Sequence, residues 1–278
     1  AVAGMDGLVV YPNAPMNADV IARLPDTLRI VACHAVGVDN VDLDAARSKG
    51  LVVTNTPEVL DAATAEVAIL LMLGAARRAS ESERLIRRGD WTSWRVDFMV
   101  GTEITGRRLG IIGMGNIGRL VARRARAFDM EVHYHNRRAL PDDKAEGAVY
   151  HETLESLLAV SDVLSINCPL TTETRHLLNR DRIALLPEGA IVVNTARGPI
   201  IKDEALIDAL SSGHVAAAGL DVFEGEPELN PAYLGLENTF LLPHIGSATV
   251  KTRTAMGLRV IENLDAFFAG RTPPHRVV

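Results

Sequence analysis

Short apolar runs rich in valine and isoleucine alternate along this chain with longer segments whose apolar residues recur at helical spacing. GLVVYP (7–12) and TLRIVACHAVG (27–37) read as strands, VDLDAARSKG (41–50) as the following helix, and LVVTNTP (51–57) as the next strand. Residues 64–78, TAEVAILLMLGAARR, are apolar almost throughout and rich in Ala and Leu, which predicts a long buried helix. Polar ASESERLIRRGDWTSW (79–94) follows, and the change of composition marks a candidate boundary. A second series opens at Arg108. RLGIIG, EVHYHN, DVLSINCP, EGAIVVNTARG, VAAAGLDVF and NTFLLPHIGS read as strands, with helices IGRLVARRARAFDM, TLESLLAVS and DEALIDALSSG between them and TRTAMGLRVIENLDAFFAG last.

Strand–helix alternation of this kind predicts an α/β fold with parallel sheets and helices on both faces. Two domains are expected. One comprises residues 1–75 plus 256–278, and the second, 76–255, is inserted into it.

Composition narrows the classes. The 278 residues are 47% hydrophobic and 23% charged, with a net charge of −6. That balance offers no electrostatic footprint for nucleic acid or an anionic membrane, so neither is an expected partner. Arg107-Arg108 and Arg123-Arg124 read as solvated faces. Two cysteines, Cys33 and Cys168, form neither a disulfide framework nor a metal spacing, so no metal is expected and a reducing, cytoplasmic setting is favoured. No apolar run reaches the roughly 18 residues of a membrane helix, and no leader-like pattern opens the chain at Ala1.

The first chemical motif is Gly113-Met114-Gly115-Asn116-Ile117-Gly118, a G-x-G-x-x-G run between a strand and a helix. In such a loop one glycine serves a tight turn, one the approach of a pyrophosphate, and one helix–strand packing, while the helix N-terminus offers N–H groups to phosphate. A glycine-rich turn without a ligand is the plainer reading, but strand, helix and spacing agree on a dinucleotide. An NAD site normally places a carboxylate about 20 residues on. Here Asn136, Arg137 and Arg138 occupy that place. Two surface arginines are one explanation. The other is a guanidinium pair for a 2′-phosphate, with Asn136 adding no negative charge, and this predicts that NADP(H) is preferred over NAD(H).

Three further loops at strand ends, NTARGPII, GLDVFEGEPELNP and LLPHIGSAT, carry Arg197, Asp221, Glu226 and His244. A cation, two acids and a histidine suit proton-coupled chemistry on an anionic substrate. Each has a bland alternative: Glu226 is flanked by Glu224 and Glu228, and Asp221 fits a turn cap.

These loops, with CHAVGVDNVDLDAARSKGLVVTNTP, TAEVAILLMLGAARR, GIIGMGNIGRLVARR and SINCPLTTETRHLLN, resemble the D-isomer-specific 2-hydroxyacid dehydrogenases in order over nearly the whole chain. The resemblance implies two Rossmann-like domains. The NADP-binding one is inserted into a flavodoxin-like substrate domain, which here lacks the family's usual first strand and helix. It implies a catalytic trio of Arg197, Glu226 and His244. Val36 and Gly37 would offer backbone N–H groups to the substrate carboxylate, beside Arg197. The cofactor would meet the glycine loop, Asn136 to Arg138, Cys168, Pro169, Thr174, Thr195, Ala196, Asp221 and Gly246. Cys168 reads as an inert thiol in that wall.

Trp94 in GDWTSW resembles the tryptophan with which glyoxylate/hydroxypyruvate reductases close the substrate pocket of a partner subunit, or it is a packing aromatic at a domain boundary. The expected reaction is NADPH-dependent reduction of glyoxylate or hydroxypyruvate by a homodimer, with His244 as general acid. A 2-ketogluconate-type sugar-acid reductase and a non-catalytic, nucleotide-sensing corepressor-like module are the alternatives.

Overall fold

A computed structural model describes residues 3–278, which fall into two compact units, one running to Ala63 and joined by Ser247–Val278, the other Thr64–Gly246. The units divide at 63/64 and 246/247, not at the expected 75/76 and 255/256. The apolar 64–78 segment does not close the first unit, because its buried residues pack into the second one's core.

The first unit holds a parallel sheet of β1 (Gly7–Val10), β2 (Ile30–Cys33) and β3 (Val52–Thr54), in that order. All four β2 residues are buried, as their apolar run requires in a covered parallel strand. Helices α1 (Ala18–Ala22) and α2 (Leu43–Ser48) each start on a side chain, Asn17 or Asp42, that accepts an N–H of the first turn. The long α3 (Asp61–Ala76) begins in this unit. The polar 79–94 stretch, expected as a boundary, instead carries helix α4 (Ala79–Arg88), which closes on Gly89 at φ 75°.

The second unit holds β4 (Arg108–Ile112), β5 (Glu131–His135), β6 (Val149–Tyr150), β7 (Val163–Ile166), β8 (Ala190–Asn194), β9 (Val215–Leu220) and β10 (Thr239–Leu241). Between them run α5 (Asn116–Arg126), α6 (Asp142–Ala145), α7 (Leu154–Leu158), α8 (Arg180–Ile183) and α9 (Asp203–Ser212). The closing helix α10 (Val250–Phe268) returns to the first unit, where a Cβ at Gly7 would stand 3.3 Å from Phe268. The seven strands pair in parallel in the order β10-β9-β8-β7-β4-β5-β6. The order reverses between β4 and β7, and ligands of such sheets bind outside the carboxyl ends of the strands at this switch point.

Glycines let α3 lie directly on this sheet. A Cβ at Gly219 would sit 2.7 Å from the Leu71 carbonyl oxygen, and one at Gly74 2.1 Å from Phe240. Ala65, Ala68, Leu71, Met72 and Ala75 of the helix are buried there, while Leu70 is exposed. Arg108, expected on a solvated face, holds Asp162 with both its Nε (3.0 Å) and Nη2 (2.8 Å). Arg123 likewise pairs with Glu146. No described helix is long and apolar enough to cross a membrane.

Candidate active site

The glycine loop joins β4 to α5 at the carboxyl edge of the sheet. Gly113 has φ 92°, and a Cβ there would stand 2.6 Å from the Cys168 nitrogen. A Cβ at Gly118 would meet the Gly113 carbonyl oxygen at 2.4 Å. At Gly115 it would meet nothing within 4 Å, so this glycine keeps open space free beside the helix start rather than relieving a clash. Gly115 is also the N-cap of α5 and offers no side-chain cap, which leaves first-turn N–H groups for an anion. The three glycines thus divide into a turn, an approach and a packing role, and the cradle fits a pyrophosphate. Met114 and Ile117 are buried or partly buried behind it, and Asn116 is exposed.

The loop is tied to the end of β5. Asn136 Oδ1 accepts the Met114 N–H at 2.7 Å, and the Asn136 carbonyl accepts the Tyr150 hydroxyl at 3.3 Å. Arg137 and Arg138 follow, both exposed. Across from them, Thr174 Oγ1 donates to the Pro169 carbonyl at 2.7 Å, shaping the turn after β7. Burial pushes the Cys168 thiol up to about 11 and that of Cys33 up to about 12, so neither is a thiolate nucleophile near neutrality. At the ends of β7 and β8, Asn167 Oδ1 and Thr195 Oγ1 are buried without a hydrogen-bond partner. Orphaned polar atoms at a sheet's ligand edge are what a site closed by its ligand leaves behind.

The loops after β8, β9 and β10 converge on that same edge. His244 Nδ1 stands 2.6 Å from Glu226 Oε1, with about a third of each side chain accessible (37% and 34%). Glu226 Oε2 accepts the Phe223 N–H at 3.2 Å. Burial works to raise the Glu226 carboxyl. The hydrogen bond and charge of His244, the Phe223 N–H and the charge of Arg197 outweigh it, and the net shift is downward. Arg197, half-buried, is steadied through its Nη1 on the Ala196 carbonyl at 2.8 Å, while the Ala196 N–H is held by Asn194 Oδ1.

His244 has φ 53°, a left-handed conformation that costs a non-glycine residue about 1 kcal/mol or more. Asp221 compensates. It is 1% exposed, and its oxygens accept the N–H groups of Ile245 and Gly246, each at 2.7 Å. Burial pushes the Asp221 carboxyl up, against these two bonds. Asp221 therefore fastens the histidine turn to the end of β9. No room remains for a Cβ larger than Gly246's hydrogen without crowding Asp221 Oδ2 at 3.2 Å.

Val36 and Gly37 lie in the other unit, just after β2, where Asn55 Nδ2 donates to the Val36 carbonyl at 2.9 Å. Asn55 is itself braced by buried Asn263, which also accepts the His275 N–H. Trp94 follows α4 and is 76% exposed. A cavity of about 420 Å³, lined by Arg78, Glu81, Thr102, Ala216 and Glu237 among others, sits at the starts of β9 and β10, the sheet edge away from these loops.

The sequence reading took Glu224 only as a neighbour of Glu226 and singled out neither Arg175 nor His176. Glu224 accepts from Arg175 Nη2 at 2.5 Å and from His176 Nε2 at 2.9 Å.

A family profile for the NAD binding domain of the D-isomer specific 2-hydroxyacid dehydrogenases matches residues 69–246. The chain is 43% identical to a glycerate dehydrogenase of Hyphomicrobium methylovorum over 268 residues, 96% of this chain and 83% of that protein. It is 45% identical to a glyoxylate reductase of Aeropyrum pernix over 278 residues, 98% of this chain and 82% of that one. The solved structure of an NADPH-dependent glyoxylate/hydroxypyruvate reductase from Sinorhizobium meliloti, in complex with NADP and malonate, superposes with a TM-score of 0.90 at 35% identity, covering 98% of this chain and 84% of that one. The matched profile spans the glycine cradle and the loops of Arg197, Glu226 and His244, and the chain belongs to the D-isomer specific 2-hydroxyacid dehydrogenases.

Proposed function

We propose that this enzyme reduces a small 2-oxoacid, glyoxylate or hydroxypyruvate, to the D-2-hydroxyacid, and that it prefers NADPH to NADH. The observation that carries the reading is the 2.6 Å pair of His244 Nδ1 and Glu226 Oε1 beside Arg197 at the ligand edge of a dinucleotide fold. Names of relatives, glycerate dehydrogenase and glyoxylate reductase, favour the same substrate class.

A bound nicotinamide supplies the hydride. The protein's own residues do the rest. With Nδ1 engaged by Glu226, the proton on His244 Nε2 is the one free to pass to the substrate carbonyl oxygen as the carbon is reduced. Glu226 sets a carboxylate against Nδ1 and keeps the ring from turning. The fork of Arg197 binds the substrate carboxylate and draws charge from the neighbouring carbonyl. Arg137 and Arg138 bind the 2′-phosphate, with the Asn136 side chain turned to the glycine loop instead of opposing it with a negative charge. Cys168, Pro169, Thr174, Thr195 and Ala196 line the dinucleotide's path.

A homodimer goes with this reading. Leu70, Ile86, Trp91, Trp94, Val96 and Val100 are exposed apolar side chains on and after α3 and α4, more than a monomer usually leaves in one stretch of chain. A monomer mass by light scattering at micromolar concentration would remove that part. Two free cysteines suit a cytoplasmic location.

Initial rates with glyoxylate and hydroxypyruvate, each with NADPH and NADH, test the whole. Rapid NADPH oxidation with weak NADH use supports the reading. Turnover only with six-carbon 2-ketoaldonates moves the substrate to sugar acids, and no turnover with any 2-oxoacid favours a nucleotide-sensing module.

A further inference from the structure

Glu226 is one of three acids in five residues, Glu224, Glu226 and Glu228. Glu226 meets His244. Glu224 points the other way, into a clamp formed by Arg175 Nη2 at 2.5 Å and His176 Nε2 at 2.9 Å and 3.2 Å to its two oxygens. Its clamp is part of a closed circuit of loops. The His176 N–H donates to the Pro199 carbonyl at 2.7 Å and the Leu178 N–H to the Ile200 carbonyl at 3.0 Å, so the Arg175–His176 segment is tied to the turn just after Arg197.

That turn in turn presses on the Glu224 peptide. A Cβ at Gly198 would fall 1.9 Å from the Phe223 carbonyl carbon and 2.2 Å from the Glu224 nitrogen, so the residue next to Arg197 lies flat against it. The Phe223 N–H, one residue earlier, holds Glu226 Oε2. Below, Phe223 packs against Tyr233 (ring centroids 6.2 Å apart), whose hydroxyl donates to buried Asp203 at 2.9 Å. The charged or titratable groups facing the clamp are therefore Arg175 and His176 from the loop after β7, Asp203 and Glu204 from the start of α9, and Tyr233 from the turn between β9 and β10.

We propose that Glu224, clamped by Arg175 and His176, is a positioning residue of the reaction: it fixes the Phe223–Glu226 turn between Arg197 and His244, so that the Glu226 carboxylate reaches the imidazole in register with the guanidinium. It touches neither substrate nor cofactor. It acts on two of the three reacting side chains at once, because the Phe223–Glu224 backbone lies against Gly198, next to Arg197, while the Phe223 N–H holds Glu226. The proposal rests on the reading of Glu226 and His244 as the proton-handling pair.

The test compares wild type, Glu224→Gln, His176→Gln and Glu226→Gln, all checked for a folded melting transition. Two readouts are taken: kcat for glyoxylate with NADPH across pH, and the titration of the His244 imidazole by long-range proton–nitrogen NMR, assigned with His244→Asn. Glu224→Gln keeps the shape and loses the charge. It should lower kcat about tenfold to a hundredfold, the scale of a misplacement of an ångström or less, with the KM for NADPH unchanged. It should also move the His244 titration in the same direction as Glu226→Gln, by a smaller amount. His176→Gln, which keeps a donor to Glu224, should retain most of the rate and leave the His244 titration near wild type. A His244 titration unmoved by Glu224→Gln overturns the positioning role, whether or not kcat falls. A wild-type enzyme with no 2-oxoacid turnover defeats the function reading instead, and the NMR arm still decides this one.

Discussion

His244 Nδ1 lies 2.6 Å from Glu226 Oε1 while the other carboxylate oxygen of Glu226 takes the N–H of Phe223. The histidine ring is thereby aimed by an acid that is itself aimed by backbone. Burial works to raise the Glu226 carboxyl, and the hydrogen bond and charge of His244 help to bring it below its usual range. Glu226→Gln keeps an oxygen near Nδ1 but removes the charge. At neutral pH kcat should fall by about 10²-fold, the lower end of what a lost general acid costs. The shape of the pH profile should change as well, because the carboxylate beside the imidazole is gone. Steady-state rates between pH 5 and 9 check this, and a profile of unchanged shape would reduce Glu226 to a packing role.

Asp221 is the next link. Its two oxygens hold the N–H groups of Ile245 and Gly246, directly after a histidine at φ 53°. Asp221→Asn presents an amide NH2 to one of those N–H donors. It should cost about 1–3 kcal/mol of stability for the broken buried bond, and release the His244 turn from its left-handed conformation. A kcat loss of about tenfold or more should accompany it. Urea unfolding and initial rates on one preparation read both effects. A variant that loses stability but keeps full kcat would show that the turn holds itself.

The glycine cradle and the loops of Arg197, Glu226 and His244 were legible in the sequence because each is local. A tight turn, a close approach and a helix start are written within six residues. Polar residues at the ends of apolar strands announce the ligand edge of a parallel sheet. The Glu224 clamp was not legible, since His176 and Arg175 stand 48 and 49 residues before Glu224 and meet it only when β7 and β9 flank β8. Helix α4 was missed for a different reason. Its residues pack no buried face, so the polar stretch read as a boundary between domains. The apolar 64–78 segment misled in the same direction: a continuous hydrophobic run says that a helix is buried, not which core buries it. Arg108 shows the limit of charge patterning, as its partner Asp162 stands 54 residues away.

The place where an NAD enzyme carries an acid holds Asn136, whose Oδ1 is spent on the Met114 N–H. Arg137 and Arg138 stand beyond it, exposed. Replacing both by Ala should raise the KM for NADPH by about 10- to 100-fold, one or two charge-assisted hydrogen bonds at about 1.5–3 kcal/mol each discounted for exposure. The KM for NADH should barely change. The same charge argument makes the NADPH term salt-sensitive, so its advantage should shrink between 50 mM and 500 mM salt. An NADPH-to-NADH ratio indifferent to both changes would leave the two arginines as surface residues.

Asp162 supplies a pH test that is independent of catalysis. The side-chain hydrogen bonds of Arg108 pull its carboxyl down, burial pulls up, and the Arg108 N–H adds to the lowering, for a net shift downward. A carboxyl lowered in the folded state contributes stability that is fully present above its unfolded value of about 3.9 and is lost as pH falls through the folded value. Asp162 is 18% exposed and Arg108 39%, so water screens part of the attraction and the pair belongs at the modest end of its class. Asp162→Asn should therefore destabilise the protein by about 1–2 kcal/mol at pH 7. The gap between variant and wild type should hold down to about pH 5 and narrow below about pH 4. Urea midpoints at pH 7, 5 and 3.5 measure it. A gap that stays constant to pH 3.5 would mean that Asp162 acts there through shape and hydrogen bonding rather than through its charge.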